Sequence, residues 1–239
     1  MKKRVYPPAL AALCTLILCL FIITAIVGSK TVTTIAEKAP LFNRTCFIID
    51  AGHGGVDGGA TSCTGVLEST INLEIALRLD DLMHLLGMQT RMIRTTDVSV
   101  YTEGKSIAAK KVSDLKERCR IVNETENAVL ISLHQNQYPE SRYNGAQVFY
   151  SPNAISEKLG RQMQAALIQY LNPNSKRQSK KSDGVYLMQN IHCPGILIEC
   201  GFLSNPTEEG KLRDPLYQKI LCCVIASVAS KYESIRTSA

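Results

Sequence analysis

The run NAVLISLH at residues 127–134 is apolar and continuous, and it limits the possible folds more than any other segment. Strands that face water on one side alternate apolar and polar residues, whereas a strand covered on both faces is apolar throughout. Two further β-rich runs, TCFIID at residues 45–50 and GILIE at residues 195–199, have the length of short strands. Together these runs predict a sheet whose inner strands are buried between helices.

The segments between these strands show helical periodicity. Four segments carry apolar residues at a spacing of three or four: Ser69–Leu86, Asp114–Val122, Ile155–Leu171 and Pro215–Tyr232. Further short strands are predicted at Met88–Arg94, GAQVFY (145–150) and GVYLM (184–188). Strands that alternate with helices indicate a single α/β domain with a twisted, mostly parallel sheet flanked by helices. The polar segment Val98–Ser113 is predicted to be a substrate-side loop or cap.

The N-terminal region differs in character from the rest. Lys2, Lys3 and Arg4 precede an uncharged stretch from Pro7 to Gly28, which is long enough to span a bilayer core of about 20 residues. The pattern predicts a membrane anchor or signal segment over residues 1–28, with an uncleaved anchor favoured over a cleaved signal. Residues 29–44 then form a tether, and residues 45–235 the folded domain. The basic flank predicts that this domain lies on the extracytoplasmic face of the membrane.

The charge distribution argues against nucleic-acid binding. The net charge is +6, but residues 1–44 contain six Lys or Arg and one acid, which leaves 21 bases and 20 acids in the remainder. A domain that binds duplex nucleic acid needs a concentrated basic surface. The nearly neutral balance of the folded part therefore predicts no nucleic-acid partner.

Four ionisable residues stand at or just beyond predicted strand ends, namely His53, Glu68, His134 and Glu199. In parallel sheets, ligands bind at the carboxyl edge of the strands. Two imidazoles and one carboxylate suit Zn²⁺ and leave its fourth position open, while a second carboxylate can accept a proton from water. A lone histidine at a strand end is more often a surface residue. Glu199 is more informative, because a carboxylate that ends an apolar run needs a compensating partner.

The glycine-rich stretch IIDAGHGGVDGGA at residues 48–60 has a rival interpretation as a phosphate-binding loop. A dinucleotide fingerprint that starts at Gly52 would require glycine at position 57, where the chain has Asp57. No Gly-Lys-Ser/Thr sequence follows, so the phosphate-loop pattern fails as well. We expect the glycines to let the backbone turn beneath a metal and to leave space for a bulky substrate.

Four motifs resemble the zinc-dependent N-acetylmuramoyl-L-alanine amidases of bacterial cell-wall metabolism. They are IIDAGHGG, ESTINL, LISLHQN and ILIECGFLSN, which occur in that family's order and span about residues 45–230. The resemblance implies that His53, Glu68 and His134 bind zinc, that Glu199 is the catalytic carboxylate and that peptidoglycan is the substrate. The sequence departs from the family at Ala51, at SLHQNQ and in the basic segment SKRQSKKSDG.

The anchor, the single domain and the Val98–Ser113 segment most resemble the membrane-anchored amidases of spore-forming bacteria. That branch removes stem peptides from cortex muramic acid before muramic lactam forms. Two other functions remain open: an amidase of vegetative wall turnover, and an anchored peptidoglycan-binding protein that is inactive without a protein activator.

Overall fold

The computed structural model describes residues 45–238, which form a six-stranded sheet flanked by helices. The strands are β1 (Cys46–Ala51), β2 (Gln89–Met92), β3 (Ala128–Asn136), β4 (Gln147–Tyr150), β5 (Lys180–Lys181) and β6 (Gly195–Phe202). The helices are α1 (Glu68–Leu85), α2 (Ile107–Asn123), α3 (Ala154–Leu171), α4 (Tyr186–Asn190), α5 (Pro206–Arg213), α6 (Pro215–Ala229) and α7 (Tyr232–Thr237).

The strand order is β2-β1-β3-β6-β4-β5. Every neighbouring pair is parallel except β4 and β6, which are antiparallel. The predicted α/β domain with a mostly parallel sheet is therefore confirmed for the described residues. The parallel strands β1, β3 and β6 are the three apolar runs found in the sequence, and their carboxyl ends lie at one edge of the sheet.

Both faces of the central strands are buried, which explains their continuous apolar character. Ile49, Ile131 and Ile198 lie in the larger core, which α1, α3 and α6 cover. On the opposite face, Ile48 and Leu130 lie in a smaller core with residues of α2 and α4. Successive side chains of a strand point to opposite faces, so one strand supplies both cores.

Local signals fix where several helices begin. The side chains of Ser106, Asn153, Asn205 and Asp214 each accept a backbone N–H from the first turn of the following helix. Such caps satisfy donors that have no partner within the helix. A proline also occupies the first turn of α5 and of α6, where its missing N–H is not needed.

Three sequence predictions need correction. The segment GVYLM is not a strand: its last three residues begin helix α4, and the consecutive residues Leu187 and Met188 both lie in the smaller core, whereas successive side chains of a strand point to opposite faces. Only the first part of Val98–Ser113 is a loop, since α2 begins at Ile107. The predicted closing helix is divided into α6 and α7, and α5 precedes it.

The N-terminal predictions lie outside the described residues. These are the membrane anchor or signal segment at residues 1–28 and the tether at residues 29–44. Within residues 45–238, no helix combines the length and apolar character that crossing a membrane requires.

Candidate metal centre

Three of the predicted site residues form one cluster at the carboxyl edge of the sheet. His53 follows β1, His134 lies near the end of β3, and Glu68 is the first residue of α1. One potential ligand atom from each residue lies within 4.8 Å of the other two. The chain thus brings together two imidazoles and a carboxylate from segments that are far apart in sequence, which is a donor set suited to zinc.

The Glu68 carboxylate lies between the two imidazoles. Its Oε1 is 3.0 Å from Nδ1 of His134, and its Oε2 is 3.3 Å from Nε2 of His53. The backbone N–H groups of Gln135 and Ala60 also donate to these two oxygens, at 3.1 and 3.0 Å. Burial by itself raises the pKa of the Glu68 carboxyl, but the two histidines outweigh it and hold the pKa well below its usual range.

Asp57 orients the His53 ring. Its Oδ2 lies 3.0 Å from Nδ1 of His53, which leaves Nε2 on the side of Glu68. Metal-binding histidines commonly donate their other ring N–H to a carboxylate in this way. Although burial lowers the pKa of the His53 imidazole, the carboxylates of Glu68 and Asp57 raise it above its ordinary value. In the sequence, Asp57 only excludes a phosphate-binding loop, and its contact with His53 is not predicted.

Two glycines make room for the cluster. A Cβ at Gly52 would lie 2.3 Å from the imidazole of His134, well inside van der Waals contact. Gly59 has a φ of +69°, and a Cβ there would lie 2.7 Å from Oε2 of Glu68. His53 itself has a φ of 61°, which is uncommon for a residue other than glycine. The glycine-rich stretch therefore provides the predicted sharp turn and also allows the side chains of the cluster to approach the backbone closely, while the predicted space for a bulky substrate stays a prediction.

A buried guanidinium ties the metal loop to helix α1. Arg94 is 3% exposed and donates to the backbone carbonyls of Ala51, Gly52 and Ser69 at 2.8, 3.0 and 2.8 Å. These carbonyls flank His53 on one side and Glu68 on the other. Arg94 consequently fixes the spacing between two residues of the cluster, although periodicity gave no reason to single it out.

A second buried guanidinium holds the same loop from helix α2. Arg118 donates to the carbonyl of His53 at 2.7 Å and forms ion pairs with Asp50 and Asp114. Asp50 also accepts the Ser132 hydroxyl at 2.6 Å. Sequence reasoning missed Arg118, but one signal was available: it stands on the helix face that also buries Cys119 and Val122.

Glu199 lies on the strand next to His134. The two residues are register partners in β3 and β6, so their side chains point to the same face of the sheet. Oε2 of Glu199 is buried and has no hydrogen-bond partner in residues 45–238. Burial raises the pKa of this carboxyl to about 7, against the opposing influence of His134. A carboxyl group of this kind can exchange a proton near neutral pH.

A cleft of about 180 Å³ opens beside these residues. Glu199, His53 and His134 line it, together with the apolar side chains Leu115, Val185, Leu187 and Leu197. Lys111, which is 3.3 Å from Asp57, supplies a cation to the same wall. The start of α2, which was predicted as a cap, therefore does border the cleft.

Comparisons with known proteins identify the family of the chain. The profile of the family Amidase_3, N-acetylmuramoyl-L-alanine amidase, matches residues 47–230. The germination-specific N-acetylmuramoyl-L-alanine amidase of Bacillus subtilis is 40% identical over 181 residues, which are 75% of each chain.

Two solved structures are similar along most of the domain. One is the CwlD amidase from Clostridioides difficile in complex with the GerS lipoprotein, with 35% identity and a TM-score of 0.77 over 80% of this chain and 100% of that chain. The other is an N-acetylmuramoyl-L-alanine amidase from Clostridium difficile 630, with 28% identity and a TM-score of 0.70 over 80% and 98%. The chain belongs to the Amidase_3 family of N-acetylmuramoyl-L-alanine amidases.

Proposed function

We propose that this protein is a zinc-dependent hydrolase that cleaves the amide between N-acetylmuramic acid and the L-alanine of peptidoglycan stem peptides. In this proposal His53, Glu68 and His134 hold the metal, and Glu199 is the catalytic residue. The observation that carries it is the unpartnered Glu199 carboxylate on the strand beside the His-Glu-His cluster. Membership of the amidase family supports the reaction and the substrate class.

The donor set fits zinc. Two imidazole nitrogens and one carboxylate are ordinary zinc ligands, and three protein ligands are typical of catalytic sites. Asp57 supports this assignment, because its contact with Nδ1 of His53 leaves Nε2 as the ligand atom. When bound, zinc would polarise the scissile carbonyl and make water a stronger nucleophile near neutral pH.

Glu199 would move the proton during hydrolysis. Its carboxylate accepts a proton from water as the water oxygen adds to the lactyl carbonyl carbon. Glu199 then donates that proton to the alanine nitrogen as the carbon–nitrogen bond breaks, which releases a free amine and a carboxylate. The Oε2 atom of Glu199 is buried, which keeps bulk solvent away from the transferred proton. General acid–base catalysis of this kind contributes about 10² to 10⁴ in rate.

We further propose a role in the spore cortex. The similarity to a germination-specific amidase supports this role more than it supports vegetative wall turnover. The similarity to an amidase solved with a lipoprotein supports a protein partner, which would regulate or position the enzyme. The uncharged stretch of residues 7–28 and its basic flank support anchoring at the extracytoplasmic face of the membrane.

The test pairs a proton-transfer variant with a metal-ligand variant of the full-length protein. Glu199→Gln should keep zinc and lose nearly all release of stem peptides, whereas His134→Ala should lose both. Bound zinc is measured by elemental mass spectrometry, and the release of stem peptides is measured by analysis of the muropeptides after digestion. Glu124→Gln removes an exposed carboxylate after α2 and serves as the control. Release by Glu199→Gln at a rate close to that of the parent would show that Glu199 has a different role.

A binding protein that needs an activator makes a different prediction. Such a protein would retain peptidoglycan but release no stem peptide in the absence of its partner. Adding a chelator to the parent protein separates the two possibilities, because only the hydrolase loses product formation when zinc is removed.

A further inference from the structure

Two buried side-chain amides lie beside the metal cluster. Asn72 stands on α1, one turn after Glu68, and is 0% exposed, while Gln135 follows His134 on β3 and is 3% exposed. Asparagine and glutamine are mostly surface residues, and a buried amide normally has hydrogen-bond partners at both of its ends. The contacts of these two amides therefore indicate what they do.

The alternation along β3 places Gln135 on the face of the sheet that α1 covers. Leu133 lies in the larger core, so Gln135 points the same way, whereas His134 between them points to the cleft. β1 ends at Ala51, the register partner of Leu133, and therefore offers no strand partner to the backbone of Gln135. The backbone N–H of Gln135 instead donates to Oε1 of Glu68 at 3.1 Å.

A chain of hydrogen bonds joins the two amides to the Glu68 carboxylate. Nε2 of Gln135 donates to Oδ1 of Asn72 at 3.1 Å. Nδ2 of Asn72 in turn donates to Oε1 of Glu68 at 3.3 Å and to the carbonyl of Gly52 at 3.1 Å. Since Gly52 directly precedes His53, the Asn72 amide contacts the side chain of one proposed ligand residue and the backbone beside another.

Only one orientation of the two amides is compatible with these contacts. Oε1 of Glu68 and the carbonyl of Gly52 are both acceptors, so Asn72 must direct its NH₂ group toward them and its oxygen away. Gln135 must then present its own NH₂ group to that oxygen. If the Gln135 amide were turned around, two acceptor oxygens would face each other.

This orientation leaves one buried atom of Gln135 without a partner. Its Oε1 is buried and accepts no hydrogen bond within residues 45–238. An unsatisfied buried acceptor destabilises the fold. A methionine would fill a similar volume without that cost, so the donor end of the amide supplies the physical reason for a glutamine at this position.

We propose that Gln135 is a positioning residue for the metal centre and that it acts through Asn72 on Glu68. Because Gln135 holds the oxygen of the Asn72 amide, the NH₂ group stays on Oε1 of Glu68 and fixes the plane of this carboxylate between the two histidines. The inference rests on the proposed function, since it takes Glu68 as a zinc ligand. It also gives a role to one residue of SLHQNQ, where the sequence departs from the family.

Zinc titration of the full-length protein against a competing chelator tests the proposal. Gln135→Met keeps the volume of the side chain but removes the donor, so zinc affinity should fall about tenfold, the lower end of the usual effect of residues that orient metal ligands. The matched control is Gln164→Met. Gln164 is also 3% exposed, but its hydrogen bonds go to residues 146–148. This control should lose stability and keep the parental affinity for zinc.

Replacing zinc with Co²⁺ adds a measurement that a loss of stability alone does not change. The visible absorption bands of bound Co²⁺ depend on the geometry of its ligands. Gln135→Met should therefore alter the spectrum, and Gln164→Met should leave it unchanged. Parental zinc affinity together with a parental cobalt spectrum in Gln135→Met would overturn the proposal, even if this variant unfolds more readily.

A double-variant cycle tests whether Gln135 acts through Asn72. Asn72→Leu should lower zinc affinity about 10- to 100-fold. Adding Gln135→Met to this variant should cause little further loss, because the path to Glu68 is already broken. Additive losses would mean that Gln135 acts independently of Asn72, contrary to the proposal. Asn72→Ala provides the same comparison if Asn72→Leu does not fold.

The parent protein separates this inference from the proposed function. A parent that binds no zinc would refute both, because no metal would then need positioning. If the parent binds zinc and releases stem peptides while Gln135→Met matches it in zinc affinity and in the cobalt spectrum, the amidase function stands and the role of Gln135 is refuted.

Discussion

Replacing Arg118 with methionine tests how far a buried guanidinium holds the metal loop. Arg118 is 2% exposed, pairs with Asp50 and Asp114, and donates to the carbonyl of His53. In the variant, the Asp50 carboxylate stays buried with the Ser132 hydroxyl as its remaining side-chain donor. Removing one partner of a buried ion pair costs about 3–5 kcal/mol. For a domain of this size, that loss lowers Tm by about 6 to 20 °C.

Denaturant unfolding and metal titration measure the two expected effects of Arg118→Met. The free energy of unfolding should fall by about 3–5 kcal/mol. At a temperature where the variant is still folded, its affinity for zinc should fall about 10- to 100-fold. Arg120→Met is a matched control, since Arg120 is exposed on the same helix and pairs with Glu117 and Glu124. This control should have a much smaller effect on stability and none on zinc affinity.

The double variant Arg118→Met/Asp50→Asn separates an orphaned charge from lost packing. Because Asp50→Asn removes the uncompensated charge, the double variant should be more stable than the sum of the single effects predicts, by about 1–3 kcal/mol. Strict additivity would refute the view that the ion pair couples these residues. Unchanged zinc affinity in Arg118→Met would refute the view that Arg118 positions the loop of His53.

Three further perturbations address the same region. Gly59→Ala should abolish zinc binding, because the new Cβ would crowd Glu68. Gly65 also has a positive φ, but a Cβ there would meet nothing within 4 Å, so Gly65→Ala should retain zinc. Equal zinc contents in the two variants would contradict this. Asp57→Asn should weaken zinc binding about tenfold in a competition titration, because its contact with His53 loses its charge, and parental affinity would argue against that role. Burial raises the pKa of the Asp50 carboxyl, but Arg118 and the other partners outweigh burial, so the pKa is lowered overall. The ionised Asp50 therefore contributes its full stabilisation of the fold above about pH 4, and this contribution is lost as the pH falls through the lowered pKa. The stability difference between the parent and Asp50→Asn should therefore shrink on acidification, and a difference that stays constant from pH 7 to pH 3 would rule this out.

Much of the fold was predictable because the central strands are buried on both faces. Their apolar runs in β1, β3 and β6 are unbroken, and the helices that cover the larger core show clear periodicity. The segment GVYLM was misassigned, since a five-residue apolar run fits a buried strand or a buried helix equally well. The first turns of α2 were missed because their side chains are mostly exposed and so carry no apolar stripe.

The chemical groups that reach the carboxyl edge of the sheet could be inferred from the order of the residues alone. His53, His134 and Glu199 follow or end apolar runs, and parallel strands bring such positions to one edge whatever their order. The folded chain was needed to see that β1, β3 and β6 are consecutive neighbours and that Glu68 on α1 contacts both histidines.

The buried polar contacts that hold the site in place likewise became visible only in the folded chain. Arg118 and Asp50 are 68 residues apart, and Arg94 bonds a carbonyl 43 residues before it. Local sequence patterns report which face of an element is apolar, but they carry no information about which distant polar group meets another. That pairing follows from the packing of α2 and β2 against β1, because burial leaves each guanidinium and carboxylate stable only beside its partner.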